Sequence, residues 1–257
     1  MASARGILMA TALFVLRMGG LIPAHATEPG DPVVGETPSA DRILDNMRQV
    51  YAECESYADE GEVSLVFKSE QRERVDRRPF KTWFIRPENF RFEFRNQHPS
   101  NGRGPSHRYV VWADGEHIRS YWTVNKQLQE FESVELALGG PTGVSGGSAT
   151  MIPALLMREM NWGGLLRRLS DTKLLGTERV GDALCYKVEG RYLADRDPLT
   201  LWIDADSFFV RRVFETSKVP NADVEKTIEY RPHFDIEIPK DVFDVDPDSI
   251  VVEHPAD

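Results

Sequence analysis

The chain has 257 residues, 31 basic against 41 acidic side chains, and 41% hydrophobic content, enough to bury a core. A surface this acidic repels phosphate backbones and anionic headgroups, which excludes nucleic acid as an expected partner and disfavours spontaneous adsorption to membranes.

At the N-terminus, Arg5 precedes the apolar run Gly6–Leu16, Arg17 interrupts it, and Ala24-His25-Ala26 supplies a small-x-small cleavage pattern. The run is about half the roughly 20 residues needed to cross a bilayer. These features predict an export signal over 1–26, cleaved to leave a mature chain from Thr27 in the periplasm. No cysteine lies near the cleavage point to accept a lipid, so a soluble product is expected rather than an anchored one. Loss of Arg5 and Arg17, with no acid lost, moves the net charge from −10 to about −12. The compartment permits disulfides. Cys54 and Cys185 therefore have two open readings: a bridge closing a loop of roughly 130 residues, rated at about 4 to 5 kcal/mol before strain, or two separately buried thiols.

Residues 27–38, rich in Pro, Gly and acid, predict a flexible lead-in, and 39–257 a single domain. Ser39 reads as an N-cap, with Ile43, Met47, Val50, Tyr51 and Cys54 on one face of a helix ending near Ser56. From Gly61 the period becomes two. Val63, Leu65 and Phe67 alternate with Glu62, Ser64 and Val66; Phe80–Arg86 and Phe90–Arg95 follow, joined at Arg86-Pro87; and Asp114-Gly115 signals a hairpin between Tyr109–Ala113 and Glu116–Thr123. Further strands are predicted at 126–133, 173–178, 184–192, 198–204, 208–217 and 224–234, eleven in all. One stretch breaks this rhythm. Gly139–Ser148 is Gly/Ser-rich and reads as mobile, leading through a Thr150 N-cap into a helix over Met151–Met160 and, past Trp162-Gly163-Gly164, a second over Leu165–Leu169, with Pro153 in the first turn of the earlier one.

The fold class is thus mainly β. A long meander with one apolar face must bury that face, and eleven strands are more than side chains alone fill, so an apolar space is expected under the helices. Its predicted lining is Phe84, Phe90, Phe92, Phe94, Trp122, Leu201 and Ile203, with Met151, Ile152, Leu155, Leu156 and Met160 giving the inserted helix a soft apolar face. Arg86 shares the face of Phe84. It either snorkels to water from a strand end or acts as a polar latch at the mouth of the pocket.

Trp83-Phe84-Ile85-Arg86-Pro87-Glu88-Asn89-Phe90 resembles the Arg-Pro strand pair of the LolA/LolB-like lipoprotein carriers. The leading helix, the Asp114-Gly115 hairpin, the helical insert, Trp202-Ile203-Asp204 and the ending Ile238–Phe243 with Pro247 follow in that family's order. The resemblance implies an open half-barrel of eleven strands with helices as a lid over a cavity for acyl chains. It implies no cofactor, and as partners the acyl chains of lipoproteins or lipids and transfer proteins of the inner and outer membranes, with the chain a monomer. It also implies that Arg86 holds the lid shut and Phe90 sits near the mouth. A polar insertion over 97–106, the Gly-rich run and the two cysteines depart from the pattern. The same fold also serves sensors that bind protein partners, which stands as the alternative function.

Catalytic signals are weak. Gly143-Val144-Ser145-Gly146-Gly147 fits a hydrolase pattern but lies in a glycine run, not on a strand-to-helix turn of a parallel sheet. His98, His107, His117, His233 and His254 have no zinc-ligand spacing. Asp244, Asp246 and Asp248 begin like a calcium loop that Pro247 breaks. No catalytic residue and no metal site is expected, and an esterase using Ser145 is the remote alternative.

Overall fold

The structure, a computed structural model, describes residues 37–97, 106–161, 164–193, 197–250 and 252. The predicted export signal, nearly all of the predicted lead-in and of the polar insertion, His98, His254 and Trp162-Gly163 lie outside the described residues. The described residues from Pro38 onward form one compact unit.

Helix α1 (Ala40–Glu53) starts where predicted: the Ser39 hydroxyl accepts from the Arg42 amide at 3.3 Å. Eleven antiparallel strands follow: β1 (Ser56–Lys68), β2 (Glu73–Ile85), β3 (Asn89–Gln97), β4 (Ser106–Asp114), β5 (Ile118–Trp122), β6 (Gln127–Phe131), β7 (Ser170–Val180), β8 (Ala183–Arg191), β9 (Leu199–Asp204), β10 (Val210–Val219) and β11 (Ala222–Phe234). They make one open sheet, in the order β6-β5-β4-β3-β2-β1-β11-β10-β9-β8-β7. The chain therefore lays down one wing outward from β1 to β6. It crosses through the insert to the far edge and returns, strand by strand, until β11 closes against β1 along Tyr57–Lys68.

Alternation sorts the strands into two faces. The inner face carries Tyr57, Val63, Phe80, Phe84, Phe90, Phe92, Phe94, Val188, Leu201 and Ile228, buried in one cluster with α1 and the insert. The outer face carries charges in cross-strand register, Glu60 with Lys81 and Arg212 with Glu229. Part of it is covered by the C-terminal segment, where Ile250 packs on Val110 and Trp112 and Arg91 donates to the Val242 carbonyl at 2.8 Å.

The insert differs from the expectation. Helix α2 (Val134–Gly139), capped by Ser133, fills the stretch between the predicted strand ending at Ser133 and the Gly-rich run beginning at Gly139, to which the sequence reading gave no element. The predicted helix over Met151–Met160 is two short pieces, α3 (Ser148–Met151) and α4 (Pro153–Leu156), with Gly147 rather than Thr150 at the first N-cap. Pro153 is the reason. It has no amide to continue the ladder from α3, and its ring crowds the preceding turn, so it begins a new helix instead of sitting inside one. Met157 is already extended, and the second predicted helix is a single 3₁₀ turn, Leu165–Arg167.

Candidate functional site

The predicted lining residues gather on the inner face. Phe84 pairs with Phe90 and Phe80 with Phe94 across β2 and β3. The rings continue into a ladder spanning five strands. Tyr230 meets Phe80 at 5.4 Å between centroids, Phe80 meets Phe92 at 6.2 Å, Phe92 meets Phe94 at 6.2 Å, Phe94 meets Tyr109 at 5.9 Å, and Tyr109 meets Trp122 at 5.9 Å. Leu201 lies on the other wing between Val188 and Val213. Met151, Ile152, Leu155, Leu156, Met157 and Met160 press the insert onto this surface, and all are buried. The sequence reading left Phe80, Tyr109 and Tyr230 out of the lining. Strand alternation alone would have included Phe80 and Tyr109, since each lies two or four residues from a chosen aromatic or in register with one.

Arg86 ties these parts together. Its Nε donates to the Cys54 carbonyl at 3.1 Å, Nη2 to the Tyr51 carbonyl at 3.2 Å and Nη1 to the Leu156 carbonyl at 3.4 Å, while the guanidinium rests 5.1 Å above the Phe84 ring. The last carbonyls of a helix have no partners inside it, and a cation there also meets the negative end of the dipole. Helix α1 has no basic residue in its own last turn, so Arg86 supplies the cation from the β2–β3 turn. The same guanidinium reaches the last residue of α4. On β2, eight residues before Arg86, Arg78 donates to the Val144 carbonyl at 2.6 Å in the glycine-rich run and pairs with Asp76. Arg167 holds the extended stretch through the Met157 and Met160 carbonyls. Arg86 and Arg78 thus fasten the insert to the sheet through its backbone oxygens, Arg158 of the insert donates to the Ala52 carbonyl of α1 at 3.4 Å, and Arg167 braces the insert from within.

Where the insert meets the β2–β3 turn and the β4–β5 hairpin, a cleft of about 350 Å³ remains, floored by Phe84, Ala113, Ile118, Met157 and Met160 and rimmed by Glu88, Glu116 and Glu159. A furrow of about 450 Å³ on the outer face is lined instead by Glu60, Glu62, Arg77 and Lys81, which pair with one another and so offer little to an apolar ligand.

Two further polar groups lie on the inner face, neither expected from the pattern. Lys226 is half-buried, desolvation pushes its pKa down to about 8, and it pairs with Glu215. Asp59 is 2% exposed. Its Oδ2 accepts the Tyr57 hydroxyl at 2.8 Å, and Thr82 stands in register with it on β2. Burial drives its pKa up to about 7, against a smaller downward pull from Tyr57 and Thr82.

The cysteines are two free, buried thiols, so no bridge forms. Strand alternation explains this: Cys54 follows α1 on the inner side, while Cys185 alternates with the inward Tyr186 and Val188 and thus faces out through β8. Burial pushes both thiols up to about 11. Ser145 is fully buried. Its hydroxyl donates to the Thr142 carbonyl and accepts from the Ala149 amide, so it ties the turn ahead of α3. His117 pairs with Glu130, and Asp246 caps the turn Pro247–Ser249 by accepting from the Asp248 amide.

No family model and no curated protein matches the chain. Solved structures do. A LolA-superfamily protein of Nitrosomonas europaea matches at 12% identity and a TM-score of 0.31, over 80% of this chain and 98% of that one. LprF of Mycobacterium bovis matches at 11% and 0.45, over 78% and 94%, and the lipoprotein LppX of Mycobacterium tuberculosis at 14% and 0.40, over 78% and 99%. The eleven-stranded open antiparallel sheet agrees with the architecture expected from the sequence. No helix among the described residues is long and apolar enough to cross a membrane.

Proposed function

We propose that this chain is a soluble periplasmic protein that carries or binds acyl chains of lipoproteins or lipids on the inner face of its half-barrel, with the insert as lid. One observation carries the reading. The broadest aromatic surface of the sheet is covered by a short, broken, methionine-bearing segment that is held down by side-chain bonds from Arg86 and Arg78 to its carbonyls and from its own Arg158 to the Ala52 carbonyl of α1 rather than by strand pairing. Few directional bonds need to break for that segment to lift, and methionine repacks readily against an irregular guest. Gly146 and Gly147, at φ +69° and +96°, supply left-handed backbone where the lid begins, the position at which it would turn. A chain entering by the cleft at Phe84 and Met160 would displace Leu155, Leu156 and Met157 from Phe84, Phe90 and Phe92. Arg86 would then exchange its bond to Leu156 for water while keeping its bonds to α1.

The test is extraction and mass spectrometry of lipid from protein purified from the periplasm, with uptake of a fluorescent fatty acid by wild type and Arg86→Leu. The expected result is an acyl species in the wild type and faster uptake and release in the variant. Absence of acyl species together with no uptake in either protein overturns the reading.

A further inference from the structure

The cleft beside the lid differs in its charge from the furrow on the outer face. The furrow is balanced: four acidic and four basic side chains line it, and there the strands pair acid with base. The cleft is lined by Glu88, Glu116, Glu132, Glu135 and Glu159 and by no lysine or arginine. These acids come from the β2–β3 turn, the β4–β5 hairpin, the junction of β6 with α2, and the extended stretch after α4. Glu88, Glu116 and Glu132 face water and form no ion pair among the described residues. Glu135 accepts from the Asn161 amide at 2.6 Å. Glu135 and Glu159 both act on the charge of Arg167, whose donors go to the Met157 and Met160 carbonyls. His117, the remaining titratable group of the lining, is held by Glu130.

Like charges gathered around an apolar floor repel one another, and that repulsion is relieved by a cation and made worse by an anion. An acyl chain entering over Phe84 and Met160 leaves its polar end at this rim. The rim is in water, so a charged end there needs little desolvation, unlike one drawn into the interior. A carboxylate or phosphate would stand among five like charges. A primary ammonium instead brings three donors to carboxylates supplied by different segments, the strongest class of hydrogen bond available to it. We propose that this rim is the headgroup site, and that the ligand it fits is an acyl chain ending in an amine, a net cation, in preference to one ending in an acid. The inference rests on the acyl-chain reading above and adds the charge of the headgroup to it.

The experiment displaces one fluorescent fatty acid from the full-length mature protein with dodecylamine, dodecanol and laurate, which share a chain and differ in charge, each below its micellar concentration. Dodecylamine is expected to bind about tenfold tighter than laurate at low salt, the sum of several weak attractions, with dodecanol between them. At about 0.5 M salt the gap should shrink several-fold, because exposed charges are then screened within a few ångströms. In Glu88→Gln/Glu116→Gln/Glu132→Gln most of the gap should be lost with the affinity for dodecanol unchanged, whereas Glu60→Gln/Glu62→Gln on the outer face should leave it intact. Laurate binding as tightly as dodecylamine, or a gap that survives the triple substitution, overturns the headgroup site and leaves the acyl-chain reading standing. If none of the three ligands binds, by displacement or by calorimetry, the acyl-chain reading itself fails, and the headgroup site with it.

Discussion

The two faces of the sheet are written in alternate residues of the same strands, and they hold together by different means. On the outer face Glu60, Glu62, Lys81, Arg77, Arg212 and Glu229 pair across strands in or near water. On the inner face Phe80, Phe84, Phe90, Phe92 and Phe94 are buried against the lid and α1. Exposed pairs gain little over hydration, so the outer face contributes solubility and register more than stability. The inner face provides the stability, and it is also the surface that the proposed function must expose. A lid fastened by arginines reconciles these demands: packing holds it closed, and a few polar bonds decide how often it opens.

Substitutions along this contrast should fall in a definite order. Phe92→Ala, at a fully buried ring in the middle of the ladder, should cost about 3–5 kcal/mol in urea unfolding. The next effect is in the pH dependence. Asp59 has a folded pKa near 7 against an ordinary value of 3.8, so the fold favours its neutral form. Its contribution is therefore fully present below about pH 4, is lost as pH rises toward and through 7, and amounts to a few kcal/mol by pH 8. The groups around it, Tyr51 on α1, Tyr57 and Glu60 on β1 and Tyr230 on β11, are unable to compensate: the tyrosines stay neutral over that range, and Glu60, already ionised, opposes further negative charge. Asp59→Asn should flatten the stability curve between pH 4 and 8, which thermal melts will read directly.

Arg86→Leu removes donors from the carbonyls at Tyr51, Cys54 and Leu156 and should lower the opening free energy of 148–157 by about 2 kcal/mol in hydrogen exchange. Arg78→Leu, which frees one lid carbonyl, should lower it by about 1 kcal/mol and chiefly over 141–147. Glu62→Ala, on the outer face, should change global stability by less than about 0.5 kcal/mol.

How legible this was in the sequence follows the same division. Wherever apolar and charged residues alternated, as in Phe90-Arg91-Phe92-Glu93-Phe94, both the strand and its inward face could be read. The first half of β2 was missed because Arg74, Asp76 and Arg78 occupy inward positions, which erases the alternation that marks a strand. Lid architecture was misread for a related reason: the apolar spacing of Met151–Met160 suits one helix, and only the missing amide of Pro153 divides it. Arg86 was legible as a polar residue on an apolar face, but its three carbonyl partners come from segments 30 to 70 residues away, beyond any local pattern. Asp59 gave no signal, since a lone acid between Ala58 and Glu60 looks like an exposed turn until β11 and α1 close over it.

The central claim is that the acyl chain lies on the inner face, and tryptophans on the two faces can report it. Trp122 ends the aromatic ladder inside, whereas Trp202 is held outside between Lys187 and Arg212. In a Trp162→Phe background, a spin-labelled stearate should quench tryptophan emission, with most of the quenching lost in Trp122→Phe and retained in Trp202→Phe. Quenching that survives removal of Trp122 and disappears with Trp202 would put the ligand on the outer face and contradict the account.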